Sequence, residues 1–342
     1  MSDVTIYTLA KELNMTPAMI SRAFNPNARI SEEKRKIVLK AAEKYNFTPN
    51  KFASRLSMKT VNIGVLINSR FEENIRQMLV GIENAYASLK DYKVKYDINI
   101  LNPDENTQED YVGIVNKYKS CDGVILAGMS SAKYIDMINH LYEHTPNIAQ
   151  VQAINYDVNY LFGSKHNEEI ASNLASDFLS QCLKKSERKK IVLFTGDTES
   201  ALHSSAKCAF EKSCKINDLD LICSVDMKDS EEYFEKIIPG VFEKYQNNID
   251  GIYITSGLSS PLCEYLEKNG IDIPFVAFDI HHETKKYMDK GIISATISQN
   301  VSHQMETAFD MLIKYIVTGE EPPKTVFTDV HIVLKSNASQ YM

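Results

Sequence analysis

The chain has no long hydrophobic run, no export signal and no clustered cysteines. Nothing approaches 18 consecutive apolar residues, so no transmembrane helix is predicted. The opening sequence MSDVTIYTLAKEL lacks the basic segment and apolar core of a signal peptide, which predicts a cytoplasmic protein with no membrane partner. The six cysteines show neither a CxxC spacing nor a Cys/His pattern. We therefore expect reduced, core-type thiols and no metal site.

Motifs of catalysis and of cofactor binding are also missing. The sequence contains no GxSxG, Walker A, HExxH or GxGxxG motif, so neither an enzyme nor a cofactor is predicted. His281, His282 and Glu283 follow a predicted strand, where we expect them to begin a helix and not to bind a metal.

Charge is distributed unevenly along the 342 residues. Residues 1–60 contain eleven Lys or Arg and five Asp or Glu, a net charge of +6, whereas the whole chain has −7. Residues 61–342 therefore have a net charge of −13. A basic segment ahead of an acidic body is expected when only that segment contacts phosphates.

The first 48 residues show the pattern of three short helices. Apolar residues between Ile6 and Leu13 recur at helical spacing. Thr16 is placed as the N-cap of a second helix, with Pro17 at its first position. The short turn between these helices predicts a helix-turn-helix, an all-α head over residues 1–48. The same shape is common in helical proteins that bind no DNA, and the positive charge of the segment favours DNA binding.

Four runs in this segment match a known family. They are T-I-Y-x-L-A-K-E-L, I-S-R-A-F-N, R-I-S-E-E-K-R-x-x-V-L-K-A-A-E and P-N-x-x-A-x-x-L. The match spans about the first 60 residues and resembles the N-terminus of lactose-repressor (LacI/GalR) type transcription regulators. The resemblance implies a sequence-specific DNA-binding repressor, acting as a homodimer on a near-palindromic double-stranded operator. It also implies control by a small-molecule effector.

In such a regulator the second helix enters a major groove. Arg22 is assigned a bidentate contact with guanine, and Pro17 and Ala18 are assigned apolar contacts with base edges. Phosphate contacts, which set register without specifying sequence, are assigned to Tyr7, Thr16, Ser21 and Asn25.

Residues 49–60 correspond to the hinge helix and linker of the family. The resemblance places Ala53, Arg55 and Leu56 on DNA, with Leu56 as an apolar wedge in the minor groove. The family pattern Ala-Arg-x-Leu is here Ala-Ser-Arg-Leu, so the arginine stands one place later.

From residue 61 onward, nine buried strand patterns alternate with amphipathic helices. Near-continuous apolar strands between helices predict parallel, doubly wound sheets. Nine such strands are more than one sheet of this kind usually contains. We therefore predict an α/β effector-binding and dimerisation domain of two lobes over residues 61–342. The predicted lobes are about 61–159 with 292–321 and about 160–291 with 322–342. The resemblance implies the periplasmic-binding-protein type I architecture.

Ligands of doubly wound sheets bind beyond the carboxyl ends of the strands. Hydroxyl-rich ligands need carboxylates and amides together with an aromatic face. Residues of these types and two serine hydroxyls follow the predicted strands, at Asn68, Phe71, Ser130, Asp157, Ser256, Asp279 and Gln299.

The resemblance implies that the effector is a sugar or a sugar derivative. Phe278-Asp279 is similar to the family's Gly-Phe-Asp, whose aspartate binds sugar hydroxyls. The family's sugar-binding arginine is absent, and His203 or Ser204 would face the cleft instead. Because a hydroxyl replaces an arginine fork poorly, this departure argues against a standard monosaccharide and leaves the effector open.

Two other classes of function compete with a regulator. A solute-binding protein for transport would suit residues 61–342, but it would need export and has no use for a basic head. An enzyme on the same scaffold would lack a nucleophile or a paired acid and base.

Overall fold

A computed structural model describes residues 5–24, 30–45, 47, 59–90, 92–102, 108–245 and 248–342. The N-terminal part contains α1 (Ile6–Glu12), α2 (Pro17–Phe24) and α3 (Glu32–Lys44). Thr5 and Ser31 cap α1 and α3 through their hydroxyls. The Thr16 hydroxyl accepts a hydrogen bond from the Met19 amide at 3.2 Å, which is the capping contact predicted for α2.

The three N-terminal helices pack around a small apolar core. Its fully buried members come from all three helices and are Leu9, Ala10, Ile20, Ala23 and Val38. The Arg35 guanidinium donates a hydrogen bond of 3.1 Å to the Ala23 carbonyl and so joins α3 to the end of α2.

Residues 61–342 form twelve strands and nine helices in the part of the chain that the structure describes. The strands are β1 (Val61–Asn68), β2 (Val94–Leu101), β3 (Gly123–Ala127), β4 (Ile148–Val151), β5 (Phe162–His166), β6 (Lys190–Thr195), β7 (Asp220–Asp226), β8 (Gly251–Ile254), β9 (Phe275–Phe278), β10 (Ala295–Ser298), β11 (Thr325–Thr328) and β12 (His331–Val333). The helices are α4 (Glu72–Ser88), α5 (Gln108–Tyr118), α6 (Ile135–His144), α7 (Glu168–Cys182), α8 (Ala201–Ile216), α9 (Glu231–Tyr245), α10 (Ser260–Asn269), α11 (His282–Asp289) and α12 (Val301–Thr318).

The strands form two six-stranded sheets, one in each lobe. The first has the order β11-β5-β4-β3-β1-β2, with every pair parallel. The second has the order β12-β10-β9-β8-β6-β7, parallel except for β12, which runs antiparallel to β10. Buried apolar strands such as β3 and β9 need cover on both faces, which the helices supply. The predicted two-lobed α/β body is confirmed.

The predicted lobe boundaries are wrong at three strands. β5 pairs with β4 and β11 pairs with β5, so both lie in the first sheet although residues 160–291 and 322–342 were assigned to the second lobe. β10 pairs with β9 and lies in the second sheet, although residues 292–321 were assigned to the first. The first lobe therefore spans about 61–166 and 300–328, and the second about 167–299 and 329–342.

Helices α4 and α12 pack closely against each other over the first sheet. Met78 and Ile82 of α4 and Phe309 of α12 are fully buried in the same apolar cluster. Gly81 lies at their point of closest approach, where an added Cβ would stand 2.2 Å from the Ser302 carbonyl oxygen. A residue with a Cβ therefore does not fit at position 81 unless one of the two helices moves.

No helix in the described ranges is both long enough and apolar enough to cross a lipid bilayer.

Candidate ligand-binding cleft

A cavity of about 260 Å³ lies between the two lobes, beyond the carboxyl ends of both sheets. The loops that follow β1 and β3 line it from the first lobe, and those that follow β6, β7 and β8 line it from the second. This is the place where doubly wound sheets bind ligands.

Six of the nine residues predicted to bind effector line this cavity. They are Asn68, Phe71, Ser130, His203, Ser256 and Gln299. The structure brings them together from both lobes, since three of them belong to each lobe. Whether each of them contacts an effector stays a prediction.

The other three predicted residues do not line the cavity. Asp157 is exposed in the loop after β4, where its amide donates to the Asn155 side chain. Ser204 is exposed on α8, because one step along a helix turns the side chain by about 100° from His203. Asp279 stands behind Gln299, whose amide nitrogen donates to the Asp279 carboxylate at 2.9 Å.

A partly buried polar network centres on Asp229, which follows β7. His203 Nε2 lies 3.2 Å from one Asp229 carboxylate oxygen, and the Ser256 hydroxyl donates to the other at 3.2 Å. Burial acts to raise the pKa of Asp229, but hydrogen bonding and charge from His203 outweigh it and hold the pKa below its ordinary value. Gly196 makes room for the pair, since an added Cβ would stand 2.4 Å from both side chains.

Asp279 has the opposite electrostatic behaviour. Burial raises the pKa of its carboxyl to about 6, although hydrogen bonds from Gln299 act in the other direction. Its backbone is left-handed, with φ +63, a conformation that few residues other than Asn, Asp and Gly adopt readily. The Gln299 side chain is thus held between Asp279 and the cavity.

His166 of β5 completes the floor of the cleft. Its ring lies 5.6 Å from that of Phe278, centroid to centroid, and it is buried. Burial lowers the pKa of this imidazole to about 4, so the ring is neutral at pH 7. A neutral imidazole offers both a donor and an acceptor to a ligand.

Several buried polar atoms of cavity-lining residues have no hydrogen-bond partner among the described protein atoms. They are Asn74 Oδ1, His166 Nδ1, His203 Nδ1 and Thr255 Oγ1. Buried polar groups that remain unpaired are costly, so a ligand that pairs with them gains binding energy. Such a set suits a ligand rich in hydroxyl or amide groups.

Polar contacts also join the two lobes across the cleft. The Arg70 guanidinium of the first lobe donates to the Asp229 carbonyl of the second. The hydroxyl oxygens of Ser130 and Ser200 lie 3.3 Å apart across the same gap. At the far side, the Gln77 amide donates to the Ile280 carbonyl at 3.4 Å.

Sequence reasoning missed two of the central residues of the cleft. Asp229 follows β7 by three residues, so the rule used for the other strands would have found it had it been applied there. His166 was missed because β5 has the polar sequence FGSKH and was not predicted as a strand. Arg70 also follows β1 and lines the cavity, but it is not among the residues predicted to bind an effector.

The residues predicted to bind DNA lie at the surface of α1 and α2 where the structure describes them. Tyr7 is 72% exposed, Thr16, Ala18, Ser21 and Arg22 are exposed, and Pro17 is half-buried. Pro17, Ala18, Ser21 and Arg22 share one side of α2, because residues four apart stack on a helix. Asn25, Ala53, Arg55 and Leu56, and the hinge from 49 to 58, lie outside the described residues.

The chain matches one protein-family model and is similar in sequence to several known regulators. Residues 63–321 match the family described as periplasmic binding protein domain. The chain is 28% identical over 267 residues to the HTH-type transcriptional regulator pepR1 of Lactobacillus delbrueckii subsp. lactis, covering 75% of this chain and 74% of that protein. It is 30% identical over 128 residues to catabolite control protein A of Streptococcus mutans, covering 36% of this chain and 37% of that protein. The match thus spans less than half the length of the catabolite control protein.

Solved structures of similar fold include a sugar-binding protein and a putative transcriptional regulator. One is GanP, a glucose-galactose binding protein from Geobacillus stearothermophilus, with TM-score 0.71 and 16% identity over 82% of this chain and 99% of that chain. Another is a putative LacI transcriptional regulator from Bacteroides fragilis, with TM-score 0.72 and 16% identity over 83% of this chain and 100% of that chain. At these identities the likeness concerns the fold alone.

Proposed function

The chain belongs to the periplasmic binding protein domain family, and from this premise we propose that it is a LacI-type transcription regulator. It is a binding protein and not an enzyme. The proteins of its family and the regulators that it resembles are likewise binding or regulatory proteins. We propose that it acts in the cytoplasm as a homodimeric repressor on a near-palindromic operator. A small-molecule effector, a sugar or a derivative, would bind in the cleft and control DNA binding.

One observation supports this proposal above the others. The same chain joins a basic three-helix head to a two-lobed body with a polar cleft, and α2 presents Arg22 and its neighbours to solvent. A helix with an exposed arginine and small side chains fits the major groove of B-DNA. The overall similarity to pepR1, an HTH-type regulator, agrees with this assignment.

The resemblance assigns the roles within the head. Arg22 would contact guanine, Pro17 and Ala18 would contact base edges, and Tyr7, Thr16, Ser21 and Asn25 would hold phosphates. Residues 49–60 would form the hinge, with Ala53, Arg55 and Leu56 on the DNA. Effector closure of the cleft would change the spacing of the two hinges in a dimer, and so the affinity for DNA.

Arg22 provides the test of DNA recognition. Arg22→Ala should cost about 1–3 kcal/mol on the preferred site and relax specificity at one position of each half-site, because a bidentate contact with guanine is lost. Binding sites are selected from random-sequence DNA with the full-length protein, and affinities are then measured by fluorescence anisotropy at fixed salt.

Two variants control for charge in this experiment. Arg22→Lys keeps the charge but not the planar fork, so it should lose base preference as well. Lys36→Ala removes a positive charge from the exposed side of α3 and should lower the affinity for all DNA sequences by the same factor. An unchanged base preference in Arg22→Ala would refute the guanine contact assigned to Arg22. Failure of the wild-type protein to select any DNA sequence would refute the proposed function as a regulator.

His203 provides the test of effector binding. A panel of monosaccharides with their amino and phosphorylated derivatives is screened for ligands that raise the melting temperature. His203→Leu should lower the affinity for a ligand found in this way at least about tenfold, because a polar contact in the cleft is lost. Ser204→Ala, on the exposed side of the same helix, should leave the affinity unchanged. The reverse pattern would show that Ser204 faces the effector.

A solute-binding protein for transport is the second candidate function. The cleft of polar side chains and the fold shared with sugar-binding proteins such as GanP would both suit it. This candidate gives no role to the basic N-terminal helices. It would be favoured if a carbohydrate bound in the cleft while no DNA sequence was selected.

A further inference from the structure

Helix α6 presents three potential metal ligands at its C-terminal end. His140, Glu143 and His144 are all exposed, and one ligand atom from each lies within 4.8 Å of the others. The two imidazole rings are 5.7 Å apart, centroid to centroid. The opposite side of the helix is held in the core by Met137, Ile138 and Leu141, which fixes the direction of the exposed side.

The spacing of these residues brings them to one side of the helix. Positions three and four apart are neighbours on a helix surface, so His140 stands next to both Glu143 and His144. Zinc binds imidazole nitrogen and carboxylate oxygen at about 2.0–2.2 Å in tetrahedral geometry, which places its donors about 3.3 Å apart. Exposed side chains on a fixed helix reach this separation by small rotations, without movement of the backbone.

The charge along α6 itself and the segment that follows it favours a cation at this position. Residues 134–164 contain no lysine or arginine but include the carboxylates Asp136, Glu143 and Asp157. Asp136 precedes His140 by four residues on α6 and is exposed as well. In addition, α6 ends at His144, and the C-terminus of a helix has a partial negative charge that attracts cations.

We propose that His140, Glu143 and His144 form a surface site for Zn²⁺ or a similar divalent transition-metal ion. Two imidazoles and one carboxylate suit Zn²⁺, whereas Ca²⁺ and Mg²⁺ require oxygen ligands. Three protein ligands leave a fourth position for water. The site is separate from the cleft and from the DNA-binding residues, and it revises the sequence-based expectation of no metal.

Isothermal titration of full-length protein with ZnCl₂ tests the site. The cysteines are first blocked with iodoacetamide, because Cys182 and Cys208 are exposed and thiolates also bind zinc. One equivalent of Zn²⁺ should bind to the wild-type chain. The double variant His140→Gln, His144→Gln should lose this equivalent or bind it at least about tenfold more weakly. Removal of a residue that only hydrogen-bonds to a metal ligand already lowers metal affinity by about tenfold or more, and here two ligands themselves are removed.

A histidine elsewhere supplies the matched control. His303 of α12 is exposed and lies 3.8 Å from Glu306, three residues on, but it has no second histidine one turn away. His303→Gln should leave the titration unchanged. Glu143→Gln should weaken binding while both imidazoles remain, which separates chelation from binding to a single histidine. An unchanged titration in the double variant, or no binding to the wild-type protein, would overturn the proposal.

Discussion

Replacement of Gly81 by alanine should lower the free energy of unfolding by about 1–3 kcal/mol, the usual cost of overpacking a core. The new methyl group would stand 2.2 Å from the Ser302 carbonyl oxygen and 3.0 Å from the Met305 Cβ. The carbonyl belongs to the backbone of α12, so it cannot rotate away as a flexible side chain would. The two helices must therefore separate, and the buried contacts of Phe309 and Met78 loosen with them.

A second helical glycine gives the opposite expectation and serves as the control. Gly113 of α5 is exposed, and an added Cβ there would meet nothing within 4 Å. Gly113→Ala should therefore stabilise the protein by about 0.5–1 kcal/mol, because alanine loses less conformational freedom than glycine in a helix. Urea unfolding followed by circular dichroism measures both variants. Equal stabilisation by the two substitutions would contradict the close approach of α4 and α12.

Asp279→Asn should raise the free energy of unfolding by about 1–3 kcal/mol at pH 7.5, because each pKa unit is worth about 1.4 kcal/mol. The pKa of Asp279 is raised from 3.8 to about 6 in the folded protein. A carboxyl group with a raised pKa contributes stability that is fully present below pH 3.8 and is lost as the pH rises through about 6. Asparagine has no charge to bury, accepts the hydrogen bond from Gln299 and tolerates φ +63.

The pH dependence distinguishes this explanation from a general packing effect. The gain from Asp279→Asn should shrink as the pH falls from 7.5 to 4.5, where the wild-type carboxyl is protonated in the folded state. Asp157→Asn, at an exposed position, should change stability by less than about 0.5 kcal/mol at either pH. A gain that did not vary with pH would contradict ionisation of Asp279 as its cause.

A carboxylate kept at a cost to stability is typical of a functional site. Asp279 contacts Gln299, which lines the cleft, so the two side chains can act as one unit toward a ligand. The stabilised Asp279→Asn protein should therefore be the poorer binder of any effector found by the thermal screen. Sequence similarity had assigned Asp279 to direct contact, whereas the structure places Gln299 between it and the cavity.

Regular, buried elements were predictable from the sequence alone. β6 is one of the nine strands predicted from the sequence, since its apolar run KIVLFT is typical of a strand in a sheet with cover on both faces. β5, with the sequence FGSKH, is just as buried, but its Lys165 is paired with Glu168 at 2.6 Å. A partner in the next helix makes such a strand possible, and no periodicity of hydrophobic residues reveals it.

The cleft was predictable where a polar residue directly follows an apolar strand. Asn68, Ser256 and Gln299 were found in this way, because carboxyl ends of parallel strands converge. The choice between His203 and Ser204 depended on the rotation of α8, which is set by the packing of Ala206 and Phe210. That packing is a tertiary property, so similarity to a family motif could not decide it.

The order of strands in the first sheet has a consequence for synthesis of the chain on the ribosome. β11, at Thr325–Thr328, is the edge strand beside β5, and α12 covers β3, β4 and β5. The first lobe therefore stays incomplete until the ribosome has made residues 301–328, and its β5 edge is unpaired until then. Translation proceeds at about 5–20 residues per second, so the roughly 160 residues from the end of β5 to the end of β11 take about 8–32 s to make, and the β5 edge stays open for that time. During that time the unpaired β5 edge is prone to aggregation, and a chaperone that binds it would protect the chain.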